Sequence, residues 1–222
     1  YQAGFEAFAA AGLDRRETTA LLVRSVELAR AAMAGHGWVA ASVGPYGAAL
    51  AGGQEYTGGY AALDRSLADP AAPRARVPDD PGAGGMGAAE LLAWHLPRMR
   101  VLADAGADVL ACETVPAAAE AAALVAALEE LQVDGWVSLT TVTDRHGVVR
   151  TRRGEPAPAV LARAAASDRV VAVGVNCMDP AGVGAALEAA AGAGKPVVCY
   201  PNGGGRWDAV ARRWRRGAGF PA

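Results

Sequence analysis

Polar side chains that could take part in chemistry follow the apolar stretches of this sequence at intervals. The clearest case is the run V-V-A-V-G-V-N-C at residues 170–177, where an apolar stretch leads directly into Asn176 and Cys177. Because this run has no polar alternation, it predicts a strand that is buried on both faces. In parallel α/β folds, ligands bind beyond the carboxyl ends of such strands. The other polar residues that end apolar stretches are Ser42, Glu113, Thr140, Thr141 and Asn202.

Cys177 admits three roles from its residue type: a small buried hydrophobe, a thiolate nucleophile or a zinc ligand. A nucleophile needs a base or cation nearby, and only His146, in a polar loop, falls near the end of a strand. A zinc site needs three or four ligands. Alternation along the strand places Cys112 on the opposite face from Glu113, and Cys199 lies within its strand, so both are predicted to be core thiols. Spacing leaves the role of Cys177 open.

Three other polar positions also have a structural and a functional interpretation. Glu113 ends an apolar strand ahead of a Thr-Val-Pro turn, where it can favour the N-terminus of the next helix or hold a substrate ammonium group. Spacing does not decide between these two roles. His95 lies on an apolar helical face and is predicted to be structural. The pair Arg152 and Arg153 is predicted to be a solvated loop face rather than an anion site.

A repeating series of strands and helices has to position these residues. Strands alternate with helices at intervals of roughly 30 residues, which is typical of parallel βα units. No glycine-rich phosphate loop lies between a strand and its helix, so a barrel is favoured over a doubly wound sheet. Residues 69–87 are predicted to be a flexible excursion within one domain that covers residues 1–222. The predicted strands are 38–43, 108–112, 136–141, 170–175 and 196–200, and the last predicted helix is 207–214.

Composition excludes several classes of partner. The chain has 222 residues with 21 basic and 23 acidic side chains, a balance that gives no electrostatic reason to bind nucleic acid or an anionic membrane. Its three cysteines are too few for a disulfide framework and suit a reducing compartment. No signal peptide or membrane-spanning apolar run is evident. We therefore expect a cytoplasmic protein that acts on small molecules.

Seven short stretches, spread over nearly the whole chain, together resemble one known family. They are Y-Q-A (1–3) with Phe5, V-A-A-S-V-G-P-Y-G-A (39–48), E-Y-T-G (55–58), H-L-P-R (95–98), A-G-A-D-V-L-A-C-E-T-V-P (105–116), G-V-N-C (174–177) and Y-P-N-G (200–203) with W-D (207–208). In this order they resemble the homocysteine S-methyltransferase family. The S-V-G-P-Y-G-A and Y-P-N-G pieces are similar to single-domain bacterial members that use S-methylmethionine or S-adenosylmethionine as methyl donor.

The resemblance implies an α/β fold of the (β/α)8 TIM-barrel type, of which about five βα units, the family's third to seventh strands, are visible in this chain. It implies zinc-dependent transfer of a methyl group from the sulfonium donor to homocysteine, giving methionine. Zinc held by three cysteine thiolates would keep the homocysteine sulfur ionised. On this basis Cys177 matches the first zinc cysteine, Glu113 matches the acidic residue that holds the homocysteine amino group, and Asn176 is a further substrate-binding residue.

The sequence also departs from the family pattern. The other two zinc ligands, adjacent cysteines in a G-G-C-C piece at the eighth strand, have no counterpart, and neither do the first two strands. Where family members often carry L-S-D-G, this chain has T-R-R-G at residues 151–154. We expect a barrel truncated at both ends, which would self-associate through its unpaired edges. Two alternatives stay open: a degenerate, non-catalytic relative without a complete zinc site, and a metal-free barrel lyase that uses Glu113 as base.

Overall fold

The fold is described from a computed structural model, which covers residues 1–67, 85–144, 146–208 and 213–215. Residues 69–84 of the predicted excursion lie outside the described residues. Met86, near the end of that segment, is hydrogen-bonded to residues 60–62. Its amide donates to the Tyr60 carbonyl (2.8 Å), and its carbonyl accepts from the Ala62 amide (2.9 Å). The strands are β1 (Ala40–Val43), β2 (Val109–Val115), β3 (Gly135–Leu139), β4 (Thr141–Thr143), β5 (Val149–Thr151), β6 (Val170–Asn176), β7 (Val197–Tyr200), β8 (Arg206–Asp208) and β9 (Arg213–Arg215).

A five-stranded sheet with the order β1-β2-β3-β6-β7 forms the centre of the described structure. Each pair of neighbours is parallel. The strand order follows the chain order without a reversal, unlike a doubly wound sheet, whose order reverses at its switch point. The prediction of five strands joined by helices is therefore confirmed, and the protein is a mixed α/β fold with a parallel sheet.

Helices connect the strands and cover the outer face of the sheet. The longest one begins with a capping box, in which the Asp14 carboxylate accepts from the Glu17 amide (2.7 Å) and the Glu17 carboxylate accepts from the Asp14 amide (2.8 Å). None of the described helices is long and apolar enough to cross a membrane. The helices are α1 (Phe5–Ala10), α2 (Arg15–Met33), α3 (Tyr46–Ala49), α4 (Ala88–Asp104), α5 (Ala118–Leu131), α6 (Ala157–Ala165) and α7 (Val183–Ala191), with 3-10 turns at Gln54–Tyr56 and Pro180–Gly182.

The main hydrophobic core lies between the outer face of the sheet and these helices. Leu124 and Leu128 of α5 are fully buried there, as is Val137 of β3. Cys112 belongs to the same core, and Cys199 packs against it. Cys112 is therefore a core thiol, as alternation along β2 predicts, whereas Cys199 is only partly buried at the edge of this core.

The sheet is strongly curved, and its concave face carries the polar residues. In a flat sheet, β2 and β7 would lie about 14 Å apart, because two strands separate them at spacings of about 4.8 Å. Nevertheless, the Tyr200 hydroxyl on β7 lies 3.0 Å from the Glu113 carboxylate on β2. A side chain on Gly174 of β6 would collide with the Val198 carbonyl, since a Cβ there would lie only 1.8 Å from that oxygen. Glycine thus permits the tight contact between β6 and β7.

Two segments differ from the sequence-based predictions. The predicted final helix at 207–214 is wrong where the structure describes it, because β8 and β9 form an antiparallel pair with Trp207 opposite Trp214. Tryptophan favours strands, and the helical pattern of this short segment misled the prediction. The polar loop after β3 contains another antiparallel pair, in which Thr141 of β4 faces Thr151 of β5.

Candidate functional site

Glu113 is held on the concave face by two hydroxyl groups from the outer strands of the sheet. The Ser42 hydroxyl on β1 donates to Glu113 Oε1 (2.5 Å), and the Tyr200 hydroxyl on β7 donates to Glu113 Oε2 (3.0 Å). Helix α5 begins after Ala117 without any side-chain cap. The helix-capping role of Glu113 is therefore wrong, and its carboxylate faces the space enclosed by the curved sheet.

Alternation along β2 places Glu113 on the concave face, and a β-bulge lies at the very end of the strand. The register between β2 and β3 shifts between Cys112 and Val115, and Thr114 adopts a left-handed backbone with φ of 60°. A β-branched residue rarely adopts this conformation, which costs on the order of 1–3 kcal/mol. Bulges of this kind re-aim side chains beside functional sites.

Asn176 stabilises the strained backbone of Thr114. Its Oδ1 accepts a hydrogen bond from the Thr114 amide (2.7 Å), and its Nδ2 donates to Thr114 Oγ1 (2.7 Å). Since a backbone amide can only donate, these contacts fix the orientation of the Asn176 amide. Asn176 is fully buried, so the structure places it beneath the end of β2.

A continuous hydrogen-bond network then links all five strands of the sheet. The Ser138 hydroxyl on β3 donates to Asn176 Oδ1 (2.8 Å) and contacts the Tyr200 hydroxyl (2.9 Å). Trp136 Nε1 also donates to the Tyr200 hydroxyl (3.0 Å). Burial raises the pKa of Tyr200, so this phenol stays protonated and can donate to Glu113. The network fixes the Glu113 carboxylate without supplying a positive charge.

Cys177 lies immediately beyond β6, in a partly exposed position with a left-handed backbone (φ of 49°). Its amide donates to the Tyr200 carbonyl (3.2 Å), and its carbonyl accepts from the Thr140 hydroxyl (3.1 Å). Its thiol lies beside Tyr56, whose pKa is raised to about 12 by burial first and then by Cys177. The structure therefore brings Cys177 to the same end of the sheet as Glu113 and Asn176. The other strand-end candidates fall into two groups. Ser42 and Thr140 lie in this region. Thr141 and Asn202 lie at Met178: the Thr141 hydroxyl donates to Met178 Sδ (3.3 Å), and the Asn202 backbone amide donates to the Met178 carbonyl (3.0 Å).

Residues near Tyr56 contribute a second group of polar side chains. Glu55 is only 8% exposed, and its Oε2 has no hydrogen-bond partner among the described residues. Burial raises the pKa of Glu55. Its negative charge in turn adds to the raised pKa of Tyr1 and Tyr56, after the larger effect of burial.

The prediction that Arg152 and Arg153 form a solvated loop face is wrong. Arg153 is 7% exposed and donates from Nε to the Ala61 carbonyl (2.9 Å). Arg152 is partly buried beside the site, where its Nε donates to the Thr140 hydroxyl (3.2 Å) and its guanidinium carbon lies 5.5 Å from the centre of the Tyr56 ring. Both side chains turn inward because the β4–β5 hairpin folds back over the end of the sheet.

A fully buried network behind the site confirms that His95 is structural. Arg98 Nη2 donates to His95 Nδ1 (3.0 Å), so His95 carries its proton on Nε2 and donates it to Glu120 Oε1 (2.8 Å). Glu120 also accepts from the Tyr60 hydroxyl and from the Tyr46 amide (2.7 Å). Because Tyr46 and Tyr60 flank the segment that carries Glu55 and Tyr56, this network positions that segment.

The cysteines of this chain do not by themselves fit a three-thiolate metal centre. Cys112 lies in the outer core, where burial raises its pKa to about 12 and keeps it protonated. Burial also raises the pKa of Cys199. The described ranges contain no group of three or more His, Cys, Asp or Glu side chains arranged to hold a metal ion. Of the two partly exposed cysteines, Cys177 lies beyond the end of its strand and Cys199 lies within β7.

Several residues of the site escape the sequence analysis. Tyr200, Ser138 and Trp136 share the concave face with Asn176, as the strand register shows. Period-2 alternation from Asn176 and its neighbours could have indicated this face. Glu55 carries no such signal, since it lies within a short 3-10 turn whose placement depends on distant contacts.

Comparison with known proteins identifies the family. The sequence profile described as homocysteine S-methyltransferase matches residues 1–220. The chain is 38% identical to a homocysteine S-methyltransferase of Escherichia coli (strain K12), with 96% of this chain and 64% of that protein covered. It is 33% identical to the homocysteine S-methyltransferase YbgG of Bacillus subtilis (strain 168), with 98% and 65% covered.

The fold agrees with a solved structure of the same kind. The Escherichia coli homocysteine methyltransferase MmuM, in its metallated form, superposes with a TM-score of 0.73 at 38% identity, covering 92% of this chain and 65% of that one. The chain spans slightly less than two thirds of the length of these relatives. The family profile matches almost every residue given, and the chain belongs to the homocysteine S-methyltransferase family.

Proposed function

We propose that this chain supplies the homocysteine-binding part of a homocysteine S-methyltransferase, built as one domain on an arc of a TIM-type barrel. The observation that carries this proposal is the Glu113 carboxylate. It is fixed by two neutral hydroxyls, and no Lys, Arg or His side chain of the described part forms an ion pair with it. A carboxylate that is oriented by hydroxyl groups and paired with no cationic side chain can bind an ammonium group with its full negative charge. Strong sheet curvature and unreversed strand order support the barrel.

The reaction that fits is transfer of a methyl cation equivalent between two sulfur atoms. The homocysteine sulfur, as a thiolate, attacks the methyl carbon of a sulfonium donor, S-methylmethionine or S-adenosylmethionine. The new S–C bond forms as the old one breaks, and the bonding electrons return to the donor sulfur as a neutral thioether. In this scheme Glu113 holds the homocysteine amino group, and Asn176 stabilises the bulge at Thr114, next to Glu113.

Cys177 is proposed as one ligand of zinc, in keeping with its partly exposed thiol at the end of β6. A zinc centre would still require further ligands that Cys112 and Cys199 do not provide. The alternative is a relative that binds homocysteine without methylating it.

Methyl transfer and metal content test the proposal together. We expect the purified protein to convert homocysteine to methionine with at least one of the two sulfonium donors. Chromatography of the amino acids measures the methionine that forms. We also expect bound zinc, measured by atomic emission, to be lost in Cys177→Ala and kept in Cys199→Ala. A folded protein that binds homocysteine but yields no methionine with either donor would establish the non-catalytic alternative instead.

A further inference from the structure

Glu55 is a buried negative charge that the homocysteine site does not use. Its Oε2 has no hydrogen-bond partner in the described ranges, although the residue is only 8% exposed. Burying a carboxylate without a partner is costly, by several kcal/mol in typical proteins. Such a group is retained where a ligand supplies the missing partner, so Glu55 indicates a site for a cation.

Arg152 is the complementary charge near Tyr56. It is partly buried, and it contacts the Thr140 hydroxyl and the Tyr56 ring. No carboxylate of the described residues forms an ion pair with it, and Asp179 acts on it only at longer range. Its guanidinium therefore has N–H groups left to bind an anion, and carboxylates suit that planar fork.

Tyr56 links the two charges. It follows Glu55 in the chain, and its ring lies 5.5 Å from the Arg152 guanidinium carbon. Arg152 also donates to the Thr140 hydroxyl, which donates to the Cys177 carbonyl (3.1 Å), so this pair lies at the same end of the sheet as Cys177. A carboxylate and a guanidinium that both adjoin one tyrosine match the ammonium and carboxylate of an α-amino acid. Because Glu113 already serves one such amino acid, this second pair of charges indicates a second one at the same end of the sheet.

We propose that Glu55 and Arg152 bind the ammonium and carboxylate groups of the methyl donor, an α-amino acid that carries a sulfonium. This subsite rests on the proposed function, which requires a donor of that class. It also assigns a role to the T-R-R-G sequence at residues 151–154, where Arg152 replaces the small polar residue of the L-S-D-G pattern.

Equilibrium binding tests the subsite independently of catalysis. S-methylmethionine and S-adenosylmethionine are titrated into the wild-type protein by calorimetry, and the tighter ligand becomes the probe. We expect Arg152→Gln and Glu55→Gln each to weaken probe binding by about 10- to 100-fold, while homocysteine binding changes by less than about twofold. The matched controls Arg65→Gln and Glu129→Gln alter exposed side chains and should leave both affinities unchanged.

Two donor analogues separate the roles of the charges. When S-methylmethionine is the probe, 4-(dimethylsulfonio)butanoate lacks only the amino group, so its binding should be insensitive to Glu55→Gln but weakened by Arg152→Gln. The amine 3-(dimethylsulfonio)propylamine lacks the carboxylate and should show the opposite pattern. When S-adenosylmethionine is the probe, its decarboxylated and deaminated forms serve in the same way.

Protein stability adds a readout that a structural role for Glu55 would not produce. Removing an unpartnered buried charge should leave the melting temperature of Glu55→Gln unchanged or higher. The inference is overturned if neither donor binds the wild-type protein or if both variants bind the probe with wild-type affinity. It is also overturned if the two variants weaken homocysteine binding as much as they weaken probe binding. If the donor affinities shift as expected but no methionine forms, the subsite stands and the proposed function fails.

Discussion

At the scale of single residues, the site depends on how neutral groups position one charge. Glu113 receives hydrogen bonds from Ser42 and Tyr200, both of which lack charge. Asn176 meanwhile holds the backbone of Thr114 in a conformation that a threonine seldom adopts. Hydroxyl donors orient a carboxylate without neutralising it, whereas an arginine or lysine would compete with the substrate for it.

Substitution of Glu113 by glutamine should therefore weaken the binding of homocysteine more than the binding of the methyl donor. Because Gln keeps the shape but loses the charge, we expect KM for homocysteine to rise by about 10- to 100-fold, the worth of a charge-assisted hydrogen bond. Steady-state kinetics at saturating donor measures it. Glu129→Gln, an exposed position on α5, serves as control. An unchanged KM for homocysteine in Glu113→Gln would remove Glu113 from the binding site.

The sequence made Glu113, Asn176 and Cys177 candidates, since each ends an apolar run and matches the family resemblance, and the structure places all three at the same end of the sheet. It could not identify their partners. Tyr200 reaches Glu113 across 87 positions of sequence because the sheet curves, and curvature is a property of all five strands together. The bulge at Thr114 was equally hidden, as it depends on Asn176 being nearby.

At the scale of elements, a buried charged network fastens the loop after β1 to α4 and α5. Arg98 stays protonated at neutral pH although burial lowers its pKa to about 10. It pairs through His95 with Glu120, which anchors Tyr46 and Tyr60 at the two ends of that loop. The loop between them carries Glu55 and Tyr56, so the precision of this part of the site derives from residues outside it.

This network should make the protein less stable in mild acid. Burial lowers the pKa of His95 below its usual 6.5, so between the two values the unfolded chain binds a proton that the folded chain does not. Stability therefore rises with pH across that window, by up to about 1.4 kcal/mol per pH unit. Charged Arg98 opposes protonation of His95, while Glu120 favours it but is outweighed by burial.

Urea unfolding at about pH 5 and about pH 7.5 measures this effect in wild type and in His95→Gln, in which no imidazole titrates. We expect the free energy of unfolding to fall more steeply in wild type as the pH decreases. Buried Glu55 and Glu155 have raised pKa values and act in the opposite direction, but equally in both proteins. Exposed His36 provides the control His36→Gln. Parallel pH profiles for wild type and His95→Gln would show that His95 titrates freely.

The β elements show which local patterns are informative. Continuous apolar runs located the five strands of the sheet within a few residues. They are informative because parallel strands that are buried on both faces consist almost entirely of apolar residues. The T-R-R-G piece was misjudged as solvated, since charge suggests exposure and only the β4–β5 hairpin turns it inward. The pairing of β8 with β9 was missed for a related reason: a short segment rich in Arg and Trp fits either periodicity.

At the scale of the whole molecule, the described sheet has two edges. Among the described residues, β1 and β7 each have one neighbour in the sheet. Apolar side chains lie exposed at both edges, with Val197 at 37% and Trp38, just before β1, at 74%. Unpaired edges of this kind favour association between copies.

Sedimentation velocity of the 222-residue chain should accordingly show species heavier than one chain, in amounts that grow with concentration. A lysine on the edge should oppose this pairing, so we expect Val197→Lys to shift the distribution toward the single chain. Leu28→Lys, a change of the same kind at an exposed site on α2, should not. A single sharp species of one chain at every concentration would show that the edges are protected.

Strand order that follows chain order also bears on how the protein is made. Each strand of the central sheet pairs with the one synthesised just before it. The backbone partner of every new strand has therefore already left the ribosome when that strand emerges. The sheet can therefore grow by one strand at a time during translation. The Glu113 pocket is completed last, because it waits for Tyr200.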